Sequence, residues 1–164
     1  MQRSSAILFF LILFSIVTSC DSNQVFDDYK SVPGTWNKDE VVQFNFTAPD
    51  TTNTYNFFVN IRNNNDYKYS NLFLIVDLGF PHGKTITDTL EYKMAKPSGE
   101  FLGEGFNSIK ENKLWYKEDF ILSESGTYTV KIQQAMRENG KVNGVTNLDG
   151  ITDVGFRIEN TTIH

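Results

Sequence analysis

The sequence predicts an all-β fold, an antiparallel β-sandwich of about seven or eight strands, immunoglobulin-like or jelly-roll-like in kind. Three observations carry that expectation. From Val41 onward apolar and polar residues alternate with a period of two, as side chains do along a half-buried strand. The alternating runs are separated by short segments rich in Asn, Asp, Gly and Pro, which supply the turns of a sandwich. No stretch of the same region sets apolar residues at the three-and-four spacing of an amphipathic helix.

Residues 1–19 read as a secretion signal. Arg3 precedes an apolar run from Ala6 to Val17, broken only by Ser15. As a helix at about 1.5 Å per residue that run reaches roughly 18 Å, well short of a ~30 Å hydrocarbon core, so cleavage fits better than permanent insertion. Val17-Thr18-Ser19-Cys20 puts an aliphatic residue and two small ones before the only cysteine of the chain. It resembles the bacterial lipobox, in which the cysteine sulfur takes a diacylglycerol before the signal is removed; Cys20 is therefore the expected lipidation site and first mature residue. Two or three acyl chains make a durable anchor, where one holds only marginally. With no second cysteine there is no disulfide, and stability has to come from the core.

Residues 20–40 are expected to form the lipid anchor and a tether, because 21–40 are polar and aperiodic and carry a Pro33-Gly34 turn signal. Trp36 is expected to dock on the domain. Residues 41–164 form that domain. Its first strand runs from Val41 to Ala48, with Val42, Phe44 and Phe46 inward, and its second from Tyr55 to Arg62, with Tyr55, Phe57, Val59 and Ile61 inward. Leu72 to Phe80 is apolar on both faces and reads as a central strand paired with Thr85 to Met94 across a four-residue hairpin. Residues 95–113 form the longest irregular segment. Leu114–Leu122, Gly126–Met136 and Thr152–Glu159 complete the set of strands. Ser123-Glu-Ser-Gly126-Thr-Tyr128 looks like the tyrosine corner of immunoglobulin-like sandwiches, in which the hydroxyl bonds back to the main chain.

Chemistry-bearing groups are sparse. The two histidines are His82 in a hairpin turn and His164 at the chain end, so nucleophile–base triads and paired-histidine zinc sites are excluded, as is a phosphate-cradling glycine loop. Glu100 with Glu104, or Asp149 with Asp153, reads as chance proximity of acids. The Asn63–Asp66 and Asn147–Asp153 segments read as Asx-stabilised turns, since neither follows calcium-loop spacing. No catalytic residue, metal site or cofactor is expected. Losing Arg3 with the signal leaves 14 basic against 20 acidic residues, which argues against nucleic acid or an anionic membrane surface as an electrostatic partner. The aromatics offer more. Asn64, Asn65, Asp66 and Tyr67 form an amide-rich loop between strands, either a partner-contact surface or a self-satisfied turn, and Trp115 and Tyr116 are further candidates for contact.

Longer blocks carry a resemblance. Cys20 to Lys30, Arg62 to Val76, Lys110 to Lys117, Ile132 to Arg137 and Gly150 to Arg157 together look like the gliding motility lipoprotein GldH family of Bacteroidetes, over nearly the whole mature chain. The resemblance implies a non-catalytic, lipid-anchored envelope protein required for gliding. It also implies partners among other envelope motility or type IX secretion proteins, with no small-molecule substrate, and it carries the lipidation role to Cys20. Asp21 resembles the inner-membrane retention signal of enteric bacteria, a rule that need not hold in this phylum; the location expected here is the outer membrane, with the domain facing the periplasm. The competing reading is a surface carbohydrate-binding lipoprotein that stacks sugars on exposed aromatics.

Overall fold

The computed structural model describes residues 23–105 and 107–161; the signal, Cys20 and His164 lie outside them. Ten strands are present: β1 Gln24–Ser31, β2 Thr35–Asn37, β3 Val42–Thr47, β4 Thr54–Asn63, β5 Asn71–Gly79, β6 Thr85–Lys93, β7 Lys110–Ile121, β8 Thr127–Gln134, β9 Asn147–Asp149 and β10 Ile151–Asn160. They form two four-stranded antiparallel sheets, ordered β1-β10-β4-β7 and β3-β8-β5-β6, with a short β2-β9 ladder beside them. The all-β sandwich is the observed fold.

All seven strands expected from alternation are there. β3 shows the pattern at its plainest, burying Val42, Phe44 and Phe46 and exposing Gln43, Asn45 and Thr47. β5 lies between β8 and β6, the central position that its apolar character requires. Between the sheets, the Phe156 ring sits 5.6 Å from Phe57 and 6.2 Å from Phe44, and Phe46 stacks on Tyr128 at 5.5 Å. Such ring pairs add about 0.5–1.5 kcal/mol each beyond the area they bury. The tyrosine corner forms as expected, with the Glu124 amide donating to Tyr128 Oη at 3.0 Å.

The tether assignment needs correction. Residues 24–37 carry β1 and β2, so the domain starts at Gln24 rather than Val41. β1 is an edge strand: its polar composition suits a position with one covered flank, and Val25 and Phe26 pack against the core, Phe26 5.7 Å from Phe46. Trp36 is fully buried opposite Leu148 and donates from Nε1 to the Glu40 carbonyl at 2.9 Å.

The two sides of the sandwich close differently. On one, Phe26 meets Phe46, and Lys30 lies over the Phe44 ring at 5.7 Å. On the other, Asp88 of β6 points inward and accepts from Tyr116 Oη at 3.0 Å and Lys117 Nζ at 2.8 Å, while Tyr92 Oη donates to the Trp115 carbonyl at 2.6 Å. An inward charge on an edge strand is a recognised guard against edge-to-edge pairing.

Candidate functional site

The outer face of the β1-β10-β4-β7 sheet carries a set of side chains that interlock across all four strands. Alternation sends Asn60 and Arg62 of β4, and Glu111, Lys113 and Trp115 of β7, to this face, joined by Arg157 and Glu159 of β10 and by Asp27 and Tyr29 of β1. Tyr29 lies over Gly155, where a Cβ would stand 2.7 Å from the tyrosine ring. The bare glycine lets the ring cross β10. Beyond it, Tyr29 Oη accepts from Asn60 Nδ2 at 2.9 Å and donates to Glu111 Oε1 at 2.7 Å, on the far strand of the sheet. Arg62 covers the tyrosine ring at 4.2 Å and donates from Nε to Glu111 Oε2 at 2.7 Å.

A second chain of contacts runs alongside. Arg157 Nη1 pairs with Asp27 at 2.8 Å and its Nε with Glu159, which also takes Lys113 Nζ at 2.7 Å. Lys113 reaches Glu159 across the Phe58 ring, 4.1 Å beneath its ammonium. Phe58 faces outward yet is only 3% exposed, because the Trp115 indole covers it with ring centroids 4.5 Å apart. Trp115 itself is 54% exposed. It is thus a large ring held in place by its neighbours and open to solvent, ordered without needing a ligand.

Electrostatics reinforce the lock. Burial alone would raise the Glu111 carboxyl, but hydrogen bonds from Arg62 and Tyr29 and the charges of Arg62 and Arg157 outweigh it and hold the group below the ordinary carboxylate value. Glu159 is lowered in the same way: Lys113 and Arg157 overcome the burial that opposes them. Burial, then the hydrogen bond and charge of Glu111, push the Tyr29 phenol upward, so it stays protonated as a donor. The three acids Asp27, Glu111 and Glu159 balance Arg62, Lys113 and Arg157. This network is therefore internally paired, with Asp153 of β10 as a further acid beside Arg62 on the same face, and it suits recognition through Trp115 and shape.

The residues singled out from sequence are divided by the structure. Trp115 is on this face. Tyr116, the next residue, is buried because alternation turns it inward with Asn112 and Leu114; register shifts near Phe57 and Phe58 mark a bulge that brings Lys117 to the same side, and both side chains reach Asp88. Tyr67 is also buried, its hydroxyl donating to the Asn71 carbonyl at 2.6 Å. Tyr116 and Tyr67 therefore cannot supply contact area, which corrects the expectation for both. Asn64 Oδ1 accepts from the Asp66 amide at 2.9 Å, and the Asn64 amide donates to Gly150 at 2.8 Å, which makes the loop a self-satisfied turn with Asn65 and Asp66 exposed on it. His82 sits in its hairpin beside Glu124, Nδ1 to Oε2 3.1 Å. Among the described residues no three His, Cys, Asp or Glu side chains gather as metal ligands.

Alternation alone did not single out Tyr29, Phe58, Arg62, Lys113, Arg157 and Glu159. A signal for most of them was present: the blocks that carry the resemblance contain Asp27, Tyr29, Arg62, Glu111, Lys113, Trp115, Gly155 and Arg157, and folding brings those residues onto one face.

Comparison with known proteins follows the same segments. The family model described as GldH lipoprotein matches residues 24–158. The chain is 57% identical over 157 residues to a protein of Christiangramia forsetii named gliding motility lipoprotein GldH homolog, covering 94% of this chain and 96% of that one. It is 54% identical over 157 residues to the gliding motility lipoprotein GldH of Flavobacterium johnsoniae, covering 96% of each. Among solved structures, a family GH115 4-O-methyl-α-glucuronidase superposes with a TM-score of 0.44 and the VP2 subviral particle of infectious bursal disease virus with 0.41, each at 12% identity. The chain spans 18% and 34% of their lengths.

Proposed function

Because this chain belongs to the GldH lipoprotein family, we propose that it is a non-catalytic, lipid-anchored component of the cell envelope required for gliding motility, acting by contact with motility and secretion proteins. The observation that carries the reading is the 54% identity, along 96% of both chains, to the gliding motility lipoprotein of Flavobacterium johnsoniae. Lipidation at Cys20 supplies the attachment; among the described residues no helix is long and apolar enough to cross a membrane. The domain faces the periplasm from the outer membrane, and the partner belongs to the apparatus that exports adhesins by type IX secretion.

Trp115 is the proposed anchor of that contact. An ordered, half-exposed indole on a rim of paired charges has the make-up of an interface hot spot, whose truncation typically costs at least about 2 kcal/mol of binding. The test is deletion of the gene followed by complementation, scoring spreading colonies and delivery of adhesins to the surface. Wild-type protein restores both, Cys20→Ser fails to fractionate with membranes, and Trp115→Ala is stable yet loses the envelope proteins that co-purify with a tagged form. Normal spreading and normal secretion in the deletion strain would overturn the reading.

A further inference from the structure

At the end of the other sheet, a cleft of about 840 Å³ opens between β5, β6 and the segment after β8. It lies apart from the Trp115 face, and its assignment stands whether or not that face binds a partner. Four cations line it, Lys68, Lys93, Lys96 and Arg137, against Glu91 and Glu138, although the whole chain carries a net charge of −5. Lys96 is paired with Glu100 at 2.9 Å, and Glu138 with Lys141. Lys68 stands 3.8 Å from Asp149, and Glu91 accepts from the neutral Asn71 amide at 2.9 Å and so keeps its charge. Among the described residues, Lys93 and Arg137 have no ion-pair or side-chain hydrogen-bond partner. In this concave site two cations without an ion-pair partner outnumber the one such carboxylate, Glu91, an excess that favours an anion, and the guanidinium fork of Arg137 suits a carboxylate bound through two hydrogen bonds.

The uncharged lining narrows the class. Phe73 and Tyr69 are half-buried rings on the wall of the cleft. Among the described residues the Tyr69 hydroxyl, the Ser70 hydroxyl and the Asn139 amide have no hydrogen-bond partner in the protein. Such a lining suits a ligand with an apolar ring face, several hydroxyls and a negative charge. We propose that the cleft binds an acidic saccharide, its carboxylate on Arg137 and Lys93 and its ring against Phe73 and Tyr69.

The test is titration of the full-length protein, in a non-ionic detergent, with tetragalacturonate, its neutral counterpart galactotetraose, and tetraglutamate. Tetragalacturonate is expected to bind saturably. Arg137→Ala and Lys93→Ala are each expected to weaken it about tenfold, the scale of a lost charge-assisted hydrogen bond, while Lys84→Ala, an exposed cation in the 81–84 hairpin, leaves binding unchanged. Both other probes bind at least about tenfold more weakly. Three results would overturn the proposal: no saturable binding of tetragalacturonate, an equal loss with Lys84→Ala, or tetraglutamate binding as well, which would give the cleft to an acidic peptide.

Discussion

The two sheets expose outer faces of the same size class and the same alternation, yet they are held together in different ways. On the β3-β8-β5-β6 face, hydrogen bonds join adjacent strands: Thr129 to Asn45 at 3.0 Å, Thr87 to Asp77 at 2.5 Å, and Asn71 to Glu91 at 2.9 Å. On the β1-β10-β4-β7 face, Tyr29 begins on one edge strand and ends its hydrogen bonding on the other, three strand spacings of about 4.8 Å away. Adjacent-strand contacts leave each strand's outer side chains independent. Contacts that cross the sheet make the face behave as one body, as a surface that presents a fixed ring to a partner needs to.

The sharpest way to break this contrast is at two glycines. Gly155→Ala puts a Cβ 2.7 Å from the Tyr29 ring and 3.1 Å from Asn60, so it should cost about 1–3 kcal/mol in urea unfolding, the range for overpacked sites. Tyr29→Phe keeps the ring but strips one partner from Asn60 and one from Glu111; a loss of about 1–2 kcal/mol is expected. Its counterpart Thr129→Val, on the other face, should stay within about 0.5 kcal/mol because the bond to Asn45 is exposed.

The next effect is on acid stability. Glu111 and Glu159 have native values below the ordinary 4.5, so the unfolded chain takes up protons first as pH falls. Their contribution is complete above the unfolded value and is lost as pH drops below 4.5 toward the lowered native values. Glu111→Gln with Glu159→Gln should flatten the fall in thermal midpoint over that range; an unchanged acid slope would separate these carboxylates from the stability of the face. The smallest effect belongs to Gly79→Ala on the other sheet. The nearest atom to its new Cβ is the Thr129 carbonyl at 3.5 Å, and the change should lie within about 0.5 kcal/mol of zero. Equal costs at Gly155 and Gly79 would erase the distinction between the faces.

Legibility in the sequence followed the same physics. Where one side of a strand is buried and the other wet, as at Phe44 and Phe46 or at Tyr128 and Val130, the period of two marks both the strand and its inward residues. β1 escaped because an edge strand is constrained on fewer sides: its Asp27 and Tyr29 serve the outer face, and the Lys30 ammonium lies over a core ring. Among the aromatics, strand alternation separates Trp115 from Tyr116, while Tyr67 is buried by a loop contact that periodicity does not record. Along β7 Trp115 points out and Tyr116 in, and the bulge near Phe58 adds Lys117 to the inward side. Tyr67 is drawn under its own loop, where Gly150, at φ +87°, lies against its amide with no room for a Cβ. The cross-sheet network depends on the strand order, which brings β1 beside β10 and β10 beside β4, and no local pattern states that order.

The correction at β1 has a mechanical consequence. Gln24 is four residues from Cys20, about 14 Å of chain even when fully extended. A lipid on Cys20 would leave the domain no long leash and hold it at the membrane surface, so that it meets partners by moving in two dimensions. A pull along that link would enter at the start of β1 and run along the strand. It would load the β1–β10 ladder from Gln24–Glu159 to Ser31–Asp153 in shear, its bonds sharing the force instead of opening one by one. Tyr29 and the Asp27–Arg157 pair pin the same strand sideways to the rest of the sheet. The hydroxyl that orders the outer face thus also resists the peeling of β1, in a protein whose relatives are named for a process that moves whole cells.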